Sequence, residues 1–210
     1  INTALNSHFI DINGHGIESD DYQQFLRARA EKIFTHLKSR IELTRTEPAN
    51  EEIEELIFGG ESEFVEFKST LRYDLHQKKV NKTLEYVIAK TISAFLNSNG
   101  GNLFIGIDDN QNALGLSDDI GTLKKQDIDG FELQVVEIIK KYIGKEFSSH
   151  IKINFPEYDG KKICRISVSE SSRPIFVRFE GKEDFFIRSG CSSQPLNREE
   201  QSVYEKEHWS

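Results

Sequence analysis

An α+β fold with a mixed β-sheet flanked by helices, preceded by an N-terminal helical extension, is what the 210-residue sequence predicts. Three observations lead there. Apolar residues at helical spacing alternate with short β-type runs through the middle of the chain. Further β-runs cluster late, separated by the hairpin signals Asp159-Gly160 and Glu180-Gly181. The length suits one core and one attachment.

The elements follow in order. Residues 19–41 read as an amphipathic helix: Ser19 can cap it, Asp20 and Asp21 suit its positive end, and Leu26, Ala30, Ile33, Phe34, Leu37 and Ile41 form an apolar stripe. That stripe calls for a partner, either the core, a second copy or another part of a larger polypeptide. Residues 44–50, with Pro48, read as a linker, and 51–57 as a short acidic helix ended by Gly59-Gly60. The domain boundary is therefore expected between residues 58 and 59. Beyond it come a strand at 64–69, a helix at 81–97, an apolar strand at 102–108 and a second amphipathic helix at 122–142. Strands follow at 151–158, 161–169, 175–180 and 184–189, and 197–208 reads as a closing helix.

Composition narrows the functional classes. Apolar residues make up 37% and charged residues 30%, the profile of a globular protein, and no apolar run approaches the ~18 residues that span a bilayer. A cytoplasmic location is the default expectation, with no membrane partner. The chain starts at Ile1 and contains no methionine, so it is expected to be a fragment of something longer or a sequence missing its methionines. Cys164 and Cys191 form no CxxC pair, and the six histidines show no HxxxH or mixed Cys/His spacing, so zinc is not expected. The net charge of -8 argues against a phosphate partner, yet the excess of acid lies in the first 60 residues and the remainder is near balance.

Three ordered segments carry a resemblance. They are Glu61-Ser62 with Val65-Glu66-Phe67-Lys68, then Ser93-Ala94-Phe95 through Asn97 to Asn99-Gly100-Gly101, then Phe104-Ile105-Gly106-Ile107-Asp108-Asp109 with Gly115. With Phe186-Ile187-Arg188-Ser189-Gly190 near the end, the set resembles the Schlafen-type AlbA-like family, most closely its bacterial single-lobe members. The resemblance implies an AlbA-like α+β domain over residues 59–210 that binds nucleic acid, RNA favoured over DNA. It also implies a catalytic trio at Glu61, Glu66 and Asp109, as in Schlafen proteins that cleave structured RNA such as tRNA. The larger animal members look two-lobed, so a cradle for such a substrate would need pairing of subunits here.

Chemistry gives that trio a definite task. Carboxylate oxygens suit Mg²⁺ or Mn²⁺, and a bound divalent ion would activate water and neutralise a phosphodiester. Strand alternation puts Phe64, Glu66 and Lys68 on one face, with Val65 and Phe67 toward the core, so Lys68 would hold the substrate phosphate. The competing reading is a non-catalytic DNA- or RNA-binding or regulatory module of a transcription-control or defence protein, since an acidic chain places carboxylates at many strand ends. Carboxylates converging on one ion would favour catalysis; scattered ones would favour the module.

Two basic surfaces are candidates for nucleic-acid contact. One holds Arg72, Lys78, Lys79 and Lys82, beside Lys68 and His76; the other includes Arg178 and Arg188 among the late strands. The plain alternative for the first is a solvated loop, and for Arg188 a structural pairing with an acidic neighbour. Gly100-Gly101 follows a helix rather than opening one, and no GxxxxGK[ST] tract exists, so the pair reads as a helix stop and tight turn and ATP binding is not expected.

Overall fold

A computed structural model describes residues 20–42 and 48–209. The chain divides into two compact units, Ile1–Pro48 and Ala49–Ser210. In the first, helix α1 (Asp20–Glu42) carries Leu26, Ala30 and Ile33 of the expected stripe, all exposed. The Ser19 cap and residues 44–47 of the linker expected at 44–50 lie outside the described residues, while its residues 48–50 are helical.

The second unit begins earlier than the sequence suggested. Pro48 is tolerated in the first turn of a helix, where its missing N–H has no partner to lose, and α2 runs from Pro48 to Gly59. Its Ile53 and Ile57 are buried with Val65, Phe67, Phe104, Ile107 and Ile163. The boundary expected at 58/59 therefore falls about one helix too late: α2 belongs to the core unit because its apolar residues cover a sheet face.

The remaining elements are β1 (Val65–Lys68), β2 (Tyr73–Asp74), β3 (Lys79–Val80), α3 (Lys82–Leu96), β4 (Gly101–Ile105), α4 (Ser117–Ile120) and α5 (Ile128–Tyr142). A 3₁₀ turn at Lys145–His150 leads to β5 (Ile151–Asn154), β6 (Glu157–Tyr158), β7 (Lys161–Lys162), β8 (Cys164–Val168), β9 (Phe176–Phe179), β10 (Lys182–Ser189), β11 (Ser192–Pro195) and α6 (Arg198–His208). The central sheet has the order β1-β4-β8-β5, parallel between β1 and β4 and antiparallel elsewhere. A second sheet has the order β11-β10-β9. The mixed sheet and flanking helices are those the sequence predicts.

Both faces of the central sheet are covered. Leu103, Ile105, Ile166 and Val168 pack with α3 and α5, including Ile88, Ile92, Phe95, Val135 and Ile139. Phe67, Phe104 and Ile107 face α2. This explains why β4 reads as a continuous apolar run instead of an alternating one. Asn81 caps α3 by accepting from the Thr83 N–H, and Asn197 and Glu200 form a reciprocal capping box on α6.

Gly100 shows how tightly α3 hands over to β4. Its φ is +75°, and a Cβ there would lie 2.5 Å from the Val168 carbonyl oxygen. The glycine pair is thus a helix stop and close strand approach, as expected. Gly100→Ala should cost about 2 kcal/mol from backbone strain and overpacking; an unchanged urea midpoint would contradict this.

Three local expectations differ. The helix expected at 122–142 begins only at Ile128, because the Asp127 side chain accepts from the Gly130 N–H and starts the helix there. Residues 73–80, read as loop, form the β2–β3 hairpin. Strand β11 was missed because Ser-Ser-Gln-Pro carries no β-type pattern; it is an edge strand paired to β10 alone. Both hairpin signals hold: Asp159 and Gly160, and Glu180 and Gly181, all have positive φ.

Candidate nucleic-acid interface

Strand β1 sets the geometry of the carboxylates. Val65 and Phe67 point into the α2 side of the core, as alternation requires, and Glu66 points to the opposite side with Leu103. That side is covered too, so Glu66 is buried rather than exposed in a cleft. Its Oε2 accepts from Arg188 Nη1 at 2.8 Å and its Oε1 from Lys68 Nζ at 2.6 Å. Arg188 is buried more deeply still: its side chain is 2% exposed and that of Glu66 11%. The guanidinium also donates to the Ser62 carbonyl at 2.6 Å and lies over the Phe95 ring.

The other two carboxylates lie apart from this pair. Gly106 and Asn102 donate to the Lys68 and Phe64 carbonyls, so the even positions of β1 face β4 and the Phe67 N–H points outward. Glu61 folds back to accept that N–H at 2.9 Å. Asp109 sits in the exposed turn after β4. Among the described residues no three His, Cys, Asp or Glu side chains gather where they could hold a metal ion. The arrangement therefore does not assemble the Mg²⁺ or Mn²⁺ site implied for Glu61, Glu66 and Asp109: both Glu66 oxygens and Oε1 of Glu61 accept hydrogen bonds from the protein itself. Lys68, expected to hold a phosphate, is paired with Glu66.

The basic candidates separate into two kinds. Arg188 is the internal partner of Glu66, so the plain alternative describes it. Arg72 also turns inward: its Nη1 donates to Gln134 at 3.0 Å and its Nε lies 3.3 Å from the buried Glu85 carboxylate. Arg178 is exposed but paired across the strands with Glu183 at 2.6 Å. Lys78, Lys79 and Lys82 are different. All three are exposed, and none forms an ion pair among the described residues.

Local hydrogen bonds hold these lysines in place. Asp74 Oδ1 accepts from the His76 and Gln77 N–H groups, and Oδ2 from Asn81 Nδ2, which fixes the hairpin turn. Those same hydrogen bonds, Gln77 first, hold the Asp74 carboxyl below its ordinary range. At the hairpin base, Asp119 of α4 accepts from the N–H groups of Leu71, Arg72 and Tyr73 at 2.7–2.8 Å. Asp119 is 1% exposed. Burial pushes its carboxyl up, while the three N–H groups pull it back.

Sequence reasoning missed Asp119, Glu85 and the role of Asn97. Asn97 lies inside the quoted motif; fully buried, it bonds the Ile175 N–H and the Ile175 and Phe186 carbonyls, tying α3 to the second sheet. The available signal was a polar residue at the end of an apolar helix stripe. Asp119 gave none, since its partners are backbone groups 46 to 48 residues away.

No curated protein matches the chain. Among solved structures, the DIP2311 protein of Corynebacterium diphtheriae is 20% identical over 70% of this chain, with a TM-score of 0.49, and this chain spans 24% of its length. The N-terminal domain of a putative ATP-dependent DNA helicase RecG-related protein from Nitrosomonas europaea is 20% identical over 68% of this chain and 92% of that one, with a TM-score of 0.43. The family described as Schlafen, AlbA_2 matches residues 61–197. That span runs from the β1 edge through the buried Arg188 to the cap of α6 and takes in most of the chain, which therefore belongs to the Schlafen AlbA_2 family.

Proposed function

We propose that residues 49–210 form a nucleic-acid-binding module that contacts its ligand through Lys78, Lys79 and Lys82 at the β2–β3 hairpin and the start of α3. Family membership supports an association with nucleic acid. The observation that carries the surface is the contrast in charge use: Arg72, Arg178 and Arg188 are committed to acidic or amide partners, while the three lysines stand exposed without a counter-ion. Cations held clear of internal partners are what phosphate contact requires.

The alternative, a divalent-metal endoribonuclease acting on structured RNA, requires Glu61, Glu66 and Asp109 to converge. The internal bonds of Glu61 and Glu66 favour the binding module. Incubation with tRNA, ribosomal RNA and single-stranded DNA, with Mn²⁺ or with chelator, tests both readings. Binding without cleavage, unchanged by chelator, is expected. Replacing Lys78, Lys79 and Lys82 together by Ala should weaken binding and lower the slope of log affinity against log salt by about two to three. Mn²⁺-dependent cleavage that disappears in folded Glu61→Ala and Asp109→Ala variants would overturn the proposal.

A further inference from the structure

The exposed tip of the β2–β3 hairpin is shaped as a narrow ribbon, and that shape distinguishes one class of nucleic acid from another. Resting on the binding reading above, we propose that the ligand is B-form duplex DNA and that residues 73–80 enter its major groove as a two-stranded ribbon.

The dimensions of the hairpin and of the groove support this. Tyr73 pairs with Val80 and Asp74 with Lys79, so the two strands stand about 4.8 Å apart. B-DNA has a major groove about 12 Å wide and 8.5 Å deep, which admits such a ribbon. From the Tyr73–Val80 pair to the start of the turn at Leu75 is roughly 7 Å at about 3.3 Å per residue, and turn residues 75–78 lie beyond it, so the tip can approach the base edges. The major groove of an RNA duplex is deep and narrow and excludes side chains of this kind.

The side chains fit the same partner. Leu75, His76, Gln77, Lys78 and Lys79 are all exposed. Lys78 and Lys79 supply cations for phosphate or guanine, Gln77 carries the donor and acceptor that match adenine, and Leu75 offers an apolar contact for the thymine methyl. A single-strand binder stacks bases on aromatic rings. No Phe, Tyr or Trp stands in the turn, and Tyr73, the only one of these in the hairpin, is half-buried.

The ribbon is also preorganised. Asp74 fixes its turn, Asp119 holds the three N–H groups at its base, and the Asn81 N–H donates to the Arg72 carbonyl at 2.8 Å. A rigid hairpin loses little conformational freedom on entering a groove.

The test uses the full chain and labelled probes of one sequence: duplex DNA, duplex RNA and the single strands of each, compared by fluorescence anisotropy at one salt concentration. Duplex DNA should bind at least about tenfold more tightly than the other probes. The double variant Lys78→Ala/Lys79→Ala, with an unchanged thermal midpoint, should lose that preference and lower the salt slope by about two. Equal binding of duplex RNA or of a single strand overturns the duplex-DNA assignment and leaves the module reading intact. So does a DNA preference that survives in the lysine variant, or displacement of the protein by the minor-groove ligand netropsin. Absence of binding to every probe sinks the module reading itself.

Discussion

Glu66→Leu should lower the free energy of unfolding by about 3–5 kcal/mol, because it leaves the buried Arg188 guanidinium without its counter-charge. The reverse change, Arg188→Met, should cost less, about 2 kcal/mol, since Glu66 keeps Lys68 at 2.6 Å. Combining the two should recover most of the loss, because a buried ion pair replaced by apolar groups of similar volume is often neutral. Urea unfolding followed by the fluorescence of Trp209, the only tryptophan, reads all three variants. Trp209 is well placed to report: its indole N–H donates to the Ser171 carbonyl and its ring packs against Phe185. A Glu66→Leu protein with an unchanged midpoint would show that Glu66 has no structural task and would return it to the list of catalytic candidates.

Asp119→Ala should be nearly as damaging, at about 3 kcal/mol. Three backbone N–H groups lose their acceptor at once, and leaving a buried one unsatisfied costs about 1–3 kcal/mol. The Arg72 and Tyr73 groups are partly solvated, which keeps the total below the simple sum. Asp119→Asn should fall between, since an amide oxygen can still accept while its NH₂ faces other donors. Amide hydrogen exchange of Leu71, Arg72 and Tyr73 should accelerate in both variants, more in Asp119→Ala. Protection that persists in Asp119→Ala would mean the hairpin base is held by something else.

What the sequence revealed about the fold depended on how local each signal is. The α3 stripe, the Asp159-Gly160 and Glu180-Gly181 turns and the closing helix α6 rest on residues within a few positions of one another, and each is found where expected. The β2–β3 hairpin has only two pairs and no apolar alternation, so nothing in residues 73–80 marked it. The start of α5 was misplaced because residues 122–127, with Leu123 their one apolar side chain, carry no periodicity that marks a boundary, and the Asp127 cap decides it.

The site was legible in part for the same reason. Parity correctly set Glu66 apart from Val65 and Phe67, but alternation says which side a residue faces, not what covers that side. The cover is Arg188, 122 residues further along the chain. Among the basic residues, Lys78, Lys79 and Lys82 were separable from Arg72 only once Glu85 and Gln134 were seen on the neighbouring helices.

Glu61 and Ser62 have a consequence for how this chain meets its own kind. Strand β1 ends the central sheet, and an open sheet edge invites another strand to dock and aggregate. Here the Glu61 carboxylate takes the outward Phe67 N–H, and the Ser62 N–H takes the Val65 carbonyl, so the chain itself occupies the places an incoming strand would use. The opposite edge, β5, is guarded differently, by the exposed charge of Lys152 in a strand of only four residues. One member of the supposed catalytic trio thus serves to keep the sheet from growing.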